Sequence, residues 1–145
     1  MADLKAEQIL SAITALVTGL TTTTSSVFRG YPYNIPAVPA LGISQGSDTP
    51  IEDQLDNMSY IDSILQVTIT AYYKGLSGAE TQANLIRKEV YAAMMANDTL
   101  GLNFVHRCKP TGTGKPQIAQ GEQPVSAMDI NFDVFYRHNY IDASA

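Results

Sequence analysis

The chain reads as an α+β protein, with a mostly antiparallel sheet of about five strands and two helices on one face. Three observations predict this. Apolar residues recur at three- and four-residue steps near the N-terminus, they do so again after residue 79, and two long segments alternate apolar with polar residues at a period of two. The first pattern belongs to amphipathic helices and the second to half-buried strands.

Taken in order, Ile9, Ala12, Ile13, Leu16, Val17 and Leu20 fall on one stripe of a helix over residues 4–20. The run Thr21-Thr22-Thr23-Thr24-Ser25-Ser26 predicts its end, because β-branched and hydroxyl side chains lose rotamer freedom in a helix or compete for its backbone. A strand over residues 27–31 follows. Pro32, Pro36 and Pro39 lack an N–H, so residues 37–44 are expected to form a short edge strand at best. The clearest strand is Tyr60–Lys74, where Leu65, Val67, Ile69, Ala71 and Tyr73 alternate with Gln66, Thr68, Thr70 and Tyr72.

Ser77-Gly78-Ala79-Glu80 has the form of a capping box, in which hydroxyl and carboxylate each satisfy an N–H that the helix leaves unpaired. The second helix starts there with the stripe Ala79, Ala83, Ile86, Val90, Ala93 and Met94, and it stops over residues 97–101, where Asn and Gly favour a left-handed cap. Strands over residues 102–109 and 125–140 complete the set. In the second of these, Met128, Ile130, Phe132, Val134 and Tyr136 alternate with Asp129, Asn131, Asp133 and Phe135. One face of the sheet is then wetted and the other is covered by the helices. Two connections, residues 45–59 and 111–124, run to about fifteen residues each, a length usually reserved for segments that are functional or that order on binding.

The 145 residues fit a single domain over 1–145, long enough to bury roughly 68–70% of the unfolded surface. Apolar residues make up 45% and charged ones 16%, which excludes a disordered chain and is sparse charge for a lone soluble monomer. The net charge of −5 and the lack of Lys and Arg clusters interleaved with aromatics argue against nucleic-acid binding. Cys108 is the single cysteine and the N-terminus lacks a basic start with an unbroken apolar run, so folding in a reducing cytoplasm is expected. The longest apolar stretch is too short and too interrupted to span a bilayer.

No pattern completes a chemical site. Asp129-Ile130-Asn131-Phe132-Asp133 has the opening spacing of a calcium loop, but Val134 replaces the turn Gly and Tyr140 the bidentate Glu, so a solvated strand face is the better reading. Lys109-Pro110-Thr111-Gly112-Thr113-Gly114-Lys115-Pro116 has parts of a phosphate loop without the upstream Gly or the hydroxyl after Lys115. His106 and Cys108, two apart on one strand face with His138 nearby, fall short of a zinc set and have no obvious orienting group for thiol chemistry. These absences lead us to expect no catalytic residues, cofactor or metal. Asp48, Glu52, Asp53, Asp56 and Asp62 fall within fifteen residues that hold no Lys or Arg. Such a run is usually a solvated loop. Read as a contact surface instead, it offers Glu52, Asp53 and Asp56, with Lys115 and Gln117 on the second connection, as candidate protein-interface residues. Eight tyrosines also favour contact surfaces, since each joins a large apolar ring to a polar tip.

The helix Ala6-Glu7-Gln8-Ile9-Leu10, the proline-rich stretch Tyr31-Pro32-Tyr33-Asn34-Ile35-Pro36, the strand Leu65-Gln66-Val67-Thr68-Ile69 and the late strand Met128-Asp129-Ile130-Asn131-Phe132-Asp133 follow one another in an order that resembles the tail terminator proteins of long-tailed bacteriophages. The resemblance covers about residues 5–140 and is one of layout. It implies a non-catalytic virion protein that forms a hexameric homo-oligomeric ring. Such a ring caps the tail tube protein, stops its polymerisation and joins the tail to the head connector, with DNA only passing through the lumen and no membrane involved. The implied location is the virion tail, assembled in the bacterial cytoplasm. Two rivals are another head–tail joining or neck protein, and a small-ligand-binding or enzymatic domain of ferredoxin-like layout.

Overall fold

The structure is a computed structural model that describes residues 4–20, 27–29, 39–51, 60–74, 79–114, 117–119 and 125–139. Its elements are α1 (Lys5–Val17), β1 (Val27–Arg29), β2 (Ala40–Pro50), β3 (Tyr60–Lys74), α2 (Ala79–Met95), β4 (Val105–Thr113), β5 (Gln117–Ala119) and β6 (Val125–Asn139). The sheet order is β1-β2-β3-β6-β4, with β1–β2 parallel and the other pairs antiparallel. Strand β5 pairs with β6 just beyond β4, and Gly114 N–H donates to Asp129 O at 2.8 Å between them, so β4 and β5 form one interrupted edge along β6.

The two long strands are the spine. All fifteen residues of β3 pair with β6, from Tyr60↔Asn139 to Lys74↔Val125. On their helix-facing side Leu65, Val67, Ile69, Ala71 and Tyr73 meet Met128, Ile130, Phe132, Val134 and Tyr136, all buried, as the alternation predicts. Ile9, Leu10, Ile13 and Val17 of α1 and Ala83, Ile86, Val90 and Met94 of α2 close over them. Each fully buried Ile or Leu contributes about 1.5–3 kcal/mol relative to exposure. The opposite face is polar but only partly wet: Gln66 is exposed, whereas Thr70 and Tyr72 are buried, with Tyr72 stacked on Phe28 at 5.7 Å.

Helix α1 ends earlier than expected. Thr18 takes an extended backbone and Gly19 has φ +90°, while the hydroxyls of Thr14 and Thr18 donate to the carbonyls four residues before them at 2.8 and 2.6 Å. Such back-bonding weakens a helix, and termination falls at Thr18-Gly19 rather than at the threonine run, whose residues 21–26 lie outside the described ones. The start of α2 agrees with expectation, but Ser77 of the capping box is also outside them. After α2 the left-handed residues are Leu100 at φ +57° and Gly101 at φ +71°. Leu100 adopts an unfavourable backbone while its side chain is 5% exposed, so burial outweighs a strain of order 1–3 kcal/mol.

Two expectations are corrected. The segment after Pro39 is not a short edge strand: β2 runs eleven residues and lies between β1 and β3. Pro39 precedes the strand and Pro50 ends it, so neither removes an interior ladder bond. The two long connections also shrink. Residues 45–50 belong to β2, where a bulge between Gln45 and Asp48 absorbs Gly46 and Ser47, and residues 111–113 and 117–119 are strand. Of the rest, residues 52–59, 115–116 and 120–124 lie outside the described ones. Among the described residues, no helix is long and apolar enough to cross a membrane.

Candidate functional site

Of the acidic run, Asp48 and Asp62 lie among the described residues, and each is engaged within the fold. Asp48, on β2, accepts a 2.5 Å hydrogen bond from the Tyr136 hydroxyl. Burial, and then this bond to a carboxylate, push the Tyr136 phenol well above its ordinary value. Asp62, on β3, accepts from Arg137 Nε at 2.8 Å and Nη2 at 3.2 Å, and from His106 Nε2 at 3.2 Å. The Arg137 bonds, reinforced by His106, hold the Asp62 carboxyl below the usual aspartate value against the opposing effect of burial. The stretch itself holds no Lys or Arg, and the counter-ions of Asp62 come from β6 and β4, far away in sequence. Glu52, Asp53, Asp56 and Lys115 lie outside the described residues, and Gln117 opens β5, paired with Ala127.

His106 and Cys108 do not share a face. A bulge between Val105 and Arg107 resets the alternation of β4, so that Val105 and Cys108 are buried while His106 is exposed. Burial first, and then the negative charges of Asp98 and Asp133, push the Cys108 thiol up to about 12, which leaves it a packing residue rather than a nucleophile. His138 Nε2 shares a 3.3 Å hydrogen bond with Ser63 Oγ and packs against the Tyr136 ring. The Asp129 to Asp133 series is a strand face as expected. Thr70 donates to Asp129 Oδ1 at 2.8 Å and Thr68 donates to Asn131 Oδ1 at 2.9 Å, a cross-strand ladder on β3 and β6. Lys109 to Thr113 is strand β4 and not a phosphate loop. Among the described residues, no group of three or more His, Cys, Asp or Glu is placed to hold a metal ion.

Sequence reading missed a cleft of about 430 Å³ where the start of α1 meets β4 and the end of β6, lined by Lys5, Asn103, Phe104, His106 and Arg137. Lys5 Nζ donates to the Arg137 carbonyl at 3.2 Å and sits 4.7 Å from the centre of the Phe104 ring. Arg137 N–H donates to the Phe104 carbonyl at 2.9 Å, which extends the β6 pairing one residue before β4 begins. Lys5 and Arg137 are 132 residues apart, and no spacing signal along the chain links them. Burial lowers the Lys5 ammonium's pKa from the ordinary lysine value, since its contacts are a carbonyl and a ring rather than a carboxylate.

Both outer edges of the described sheet are poor templates for strand addition. Strand β1 is three residues long, and β4 carries Arg107, Lys109, Pro110 and two bulges. No protein-family model matches the chain, and no curated protein does. Among solved structures, a chain described as "Virion of native gene transfer agent (GTA) particle" aligns over 90% of each chain at 14% identity with a TM-score of 0.37. A score that low does not establish a shared fold.

Proposed function

We propose that the chain is a non-catalytic structural subunit of a phage-type virion, and specifically a tail terminator. Its homo-oligomeric ring, of six copies, caps the tail tube, stops tube polymerisation and joins the tail to the head connector. The observation that carries this reading is the element order. One helix, three strands ending in a long polar-faced one, a second helix and closing strands form a single sheet layer under two helices, and the resemblance rests on that layout.

Physical features support association through side chains. Charge is sparse and the sheet edges are blunted, so contacts fall to polar faces and clefts rather than to backbone pairing. Six copies at −5 each carry about −30, which keeps a lumen from retaining the phosphates of passing DNA.

Light scattering on the purified protein, followed by electron microscopy alone and with tubes assembled from a tail tube protein, tests the proposal. The expected result is a closed ring, free or seated on tube ends, with contacts that bury on the order of 1,200–2,000 Å² each. Monomer alone at high concentration, with tubes left uncapped, overturns it.

A further inference from the structure

The face of the sheet turned away from the helices carries a carboxylate that its cross-strand neighbour does not neutralise. Asp133 of β6 pairs in register with Lys109 of β4, an arrangement in which opposite charges ordinarily join across the strands. Here they do not. The Lys109 ammonium lies 5.9 Å from the centre of the Phe135 ring, and among the described residues the Asp133 side chain forms no ion pair and no hydrogen bond. Asp133 is half-buried and borders a cavity of about 170 Å³ between β3, β6 and β4, which Gln66, Thr68, Thr111 and Asn131 also line. Thr68 donates to Asn131 Oδ1 at 2.9 Å and so fixes that amide. Gln66 and Thr111 are exposed, and their side chains make no hydrogen bond among the described residues.

We propose that this cavity binds the guanidinium group of an arginine side chain on a partner protein. A carboxylate takes a guanidinium through two parallel N–H···O bonds, which leaves further N–H donors of the fork for the Gln66 side-chain oxygen and the Thr111 hydroxyl. An ammonium is a compact point charge that matches no such spread of acceptors. The position of Lys109 fits that preference: it stands directly opposite the carboxylate and still settles on the Phe135 ring. The unpaired charge of Asp133 and the free acceptors beside it are therefore met together by one planar cation. The site is built from described residues alone, and it does not depend on whether the chain forms a ring.

Titration of the isotope-labelled full chain with N-acetyl-arginine amide and with N-acetyl-lysine amide, followed through backbone amide NMR shifts, tests this. The arginine probe should shift Gln66, Thr111, Asn131 and Asp133 along one saturable curve, and the lysine probe should bind at least about tenfold more weakly. Asp133→Asn should weaken the arginine probe by at least about tenfold, the scale of a hydrogen bond to a charged group. Its melting curve should match the parent's, because the carboxylate bonds to no described group. Lys109→Gln should tighten the arginine probe by removing a competing cation. Equal response to the two probes overturns the inference, since the carboxylate then attracts any cation. Asp133→Asn binding like the parent, or shifts spread over the surface without saturation, overturns it as well. Free arginine saturating the cavity where the blocked probe does not overturns the partner-protein source, because the ligand is then the free amino acid.

Discussion

At the scale of single residues, Asp62 shows how a side chain from an acidic run becomes a structural anchor. Its carboxylate lies 13% exposed between Arg137 and His106, and the Arg137 bonds lower its pKa from the ordinary 3.8. A folded-state value below the unfolded one means that the ionised carboxylate stabilises the fold. That contribution is present in full above the ordinary value and is lost as pH falls through the depressed one. Arg137 and His106 are about half exposed, which keeps the effect near 0.5–1 kcal/mol. Thermal melts of Asp62→Asn against the parent should show a deficit of that size at neutral pH that closes in acid. A deficit that persists unchanged into strong acid would mean that the side chain acts through packing alone.

At the scale of elements, register depends on how β2 passes β3. The bulge between Gln45 and Asp48 brings Gly46 against Gln66, where an added Cβ would lie 3.0 Å from Gln66 Cβ and 3.2 Å from its carbonyl oxygen. The carbonyl belongs to the β3 backbone and cannot swing aside, so Gly46→Ala should overpack the pair and cost about 1–3 kcal/mol. Denaturant titration checks this, and a variant as stable as the parent would show that the bulge yields. The two bulges in β4 act differently. They carry the edge past Pro110 and turn His106 outward to Asp62 while Val105 and Cys108 stay in the core.

For the whole molecule, the core runs without interruption from both helices across β2, β3, β6 and β4. One contiguous core predicts one cooperative unfolding transition for residues 1–145, coincident by circular dichroism and tyrosine fluorescence. A chelator should leave its midpoint unchanged, because the described residues include no ligand cluster for a metal to brace. Separate transitions, or a fall of many degrees with chelator, would show a second folding unit or a metal site that residues outside the described ones complete.

Both helices, β3 and β6 were legible in the sequence because their periodicities are local and long, and burial follows directly from them: each of the five apolar positions named on β3, and each of the five on β6, is in the core. The bland reading of Asp129 to Asp133 was legible for the same reason. Strand β2 beyond Ser44 and the continuation of the β4 edge were not, because Gly, Pro and Ser look like loop until a neighbouring strand supplies hydrogen-bond partners and a bulge absorbs the misfit. The cleft was invisible for a different reason. Lys5, Phe104, His106 and Arg137 meet only because α1 packs across the sheet with its start at the end of β6. Local pattern determines which residues face inward, while contacts between residues a hundred positions apart are decided only when the layers close.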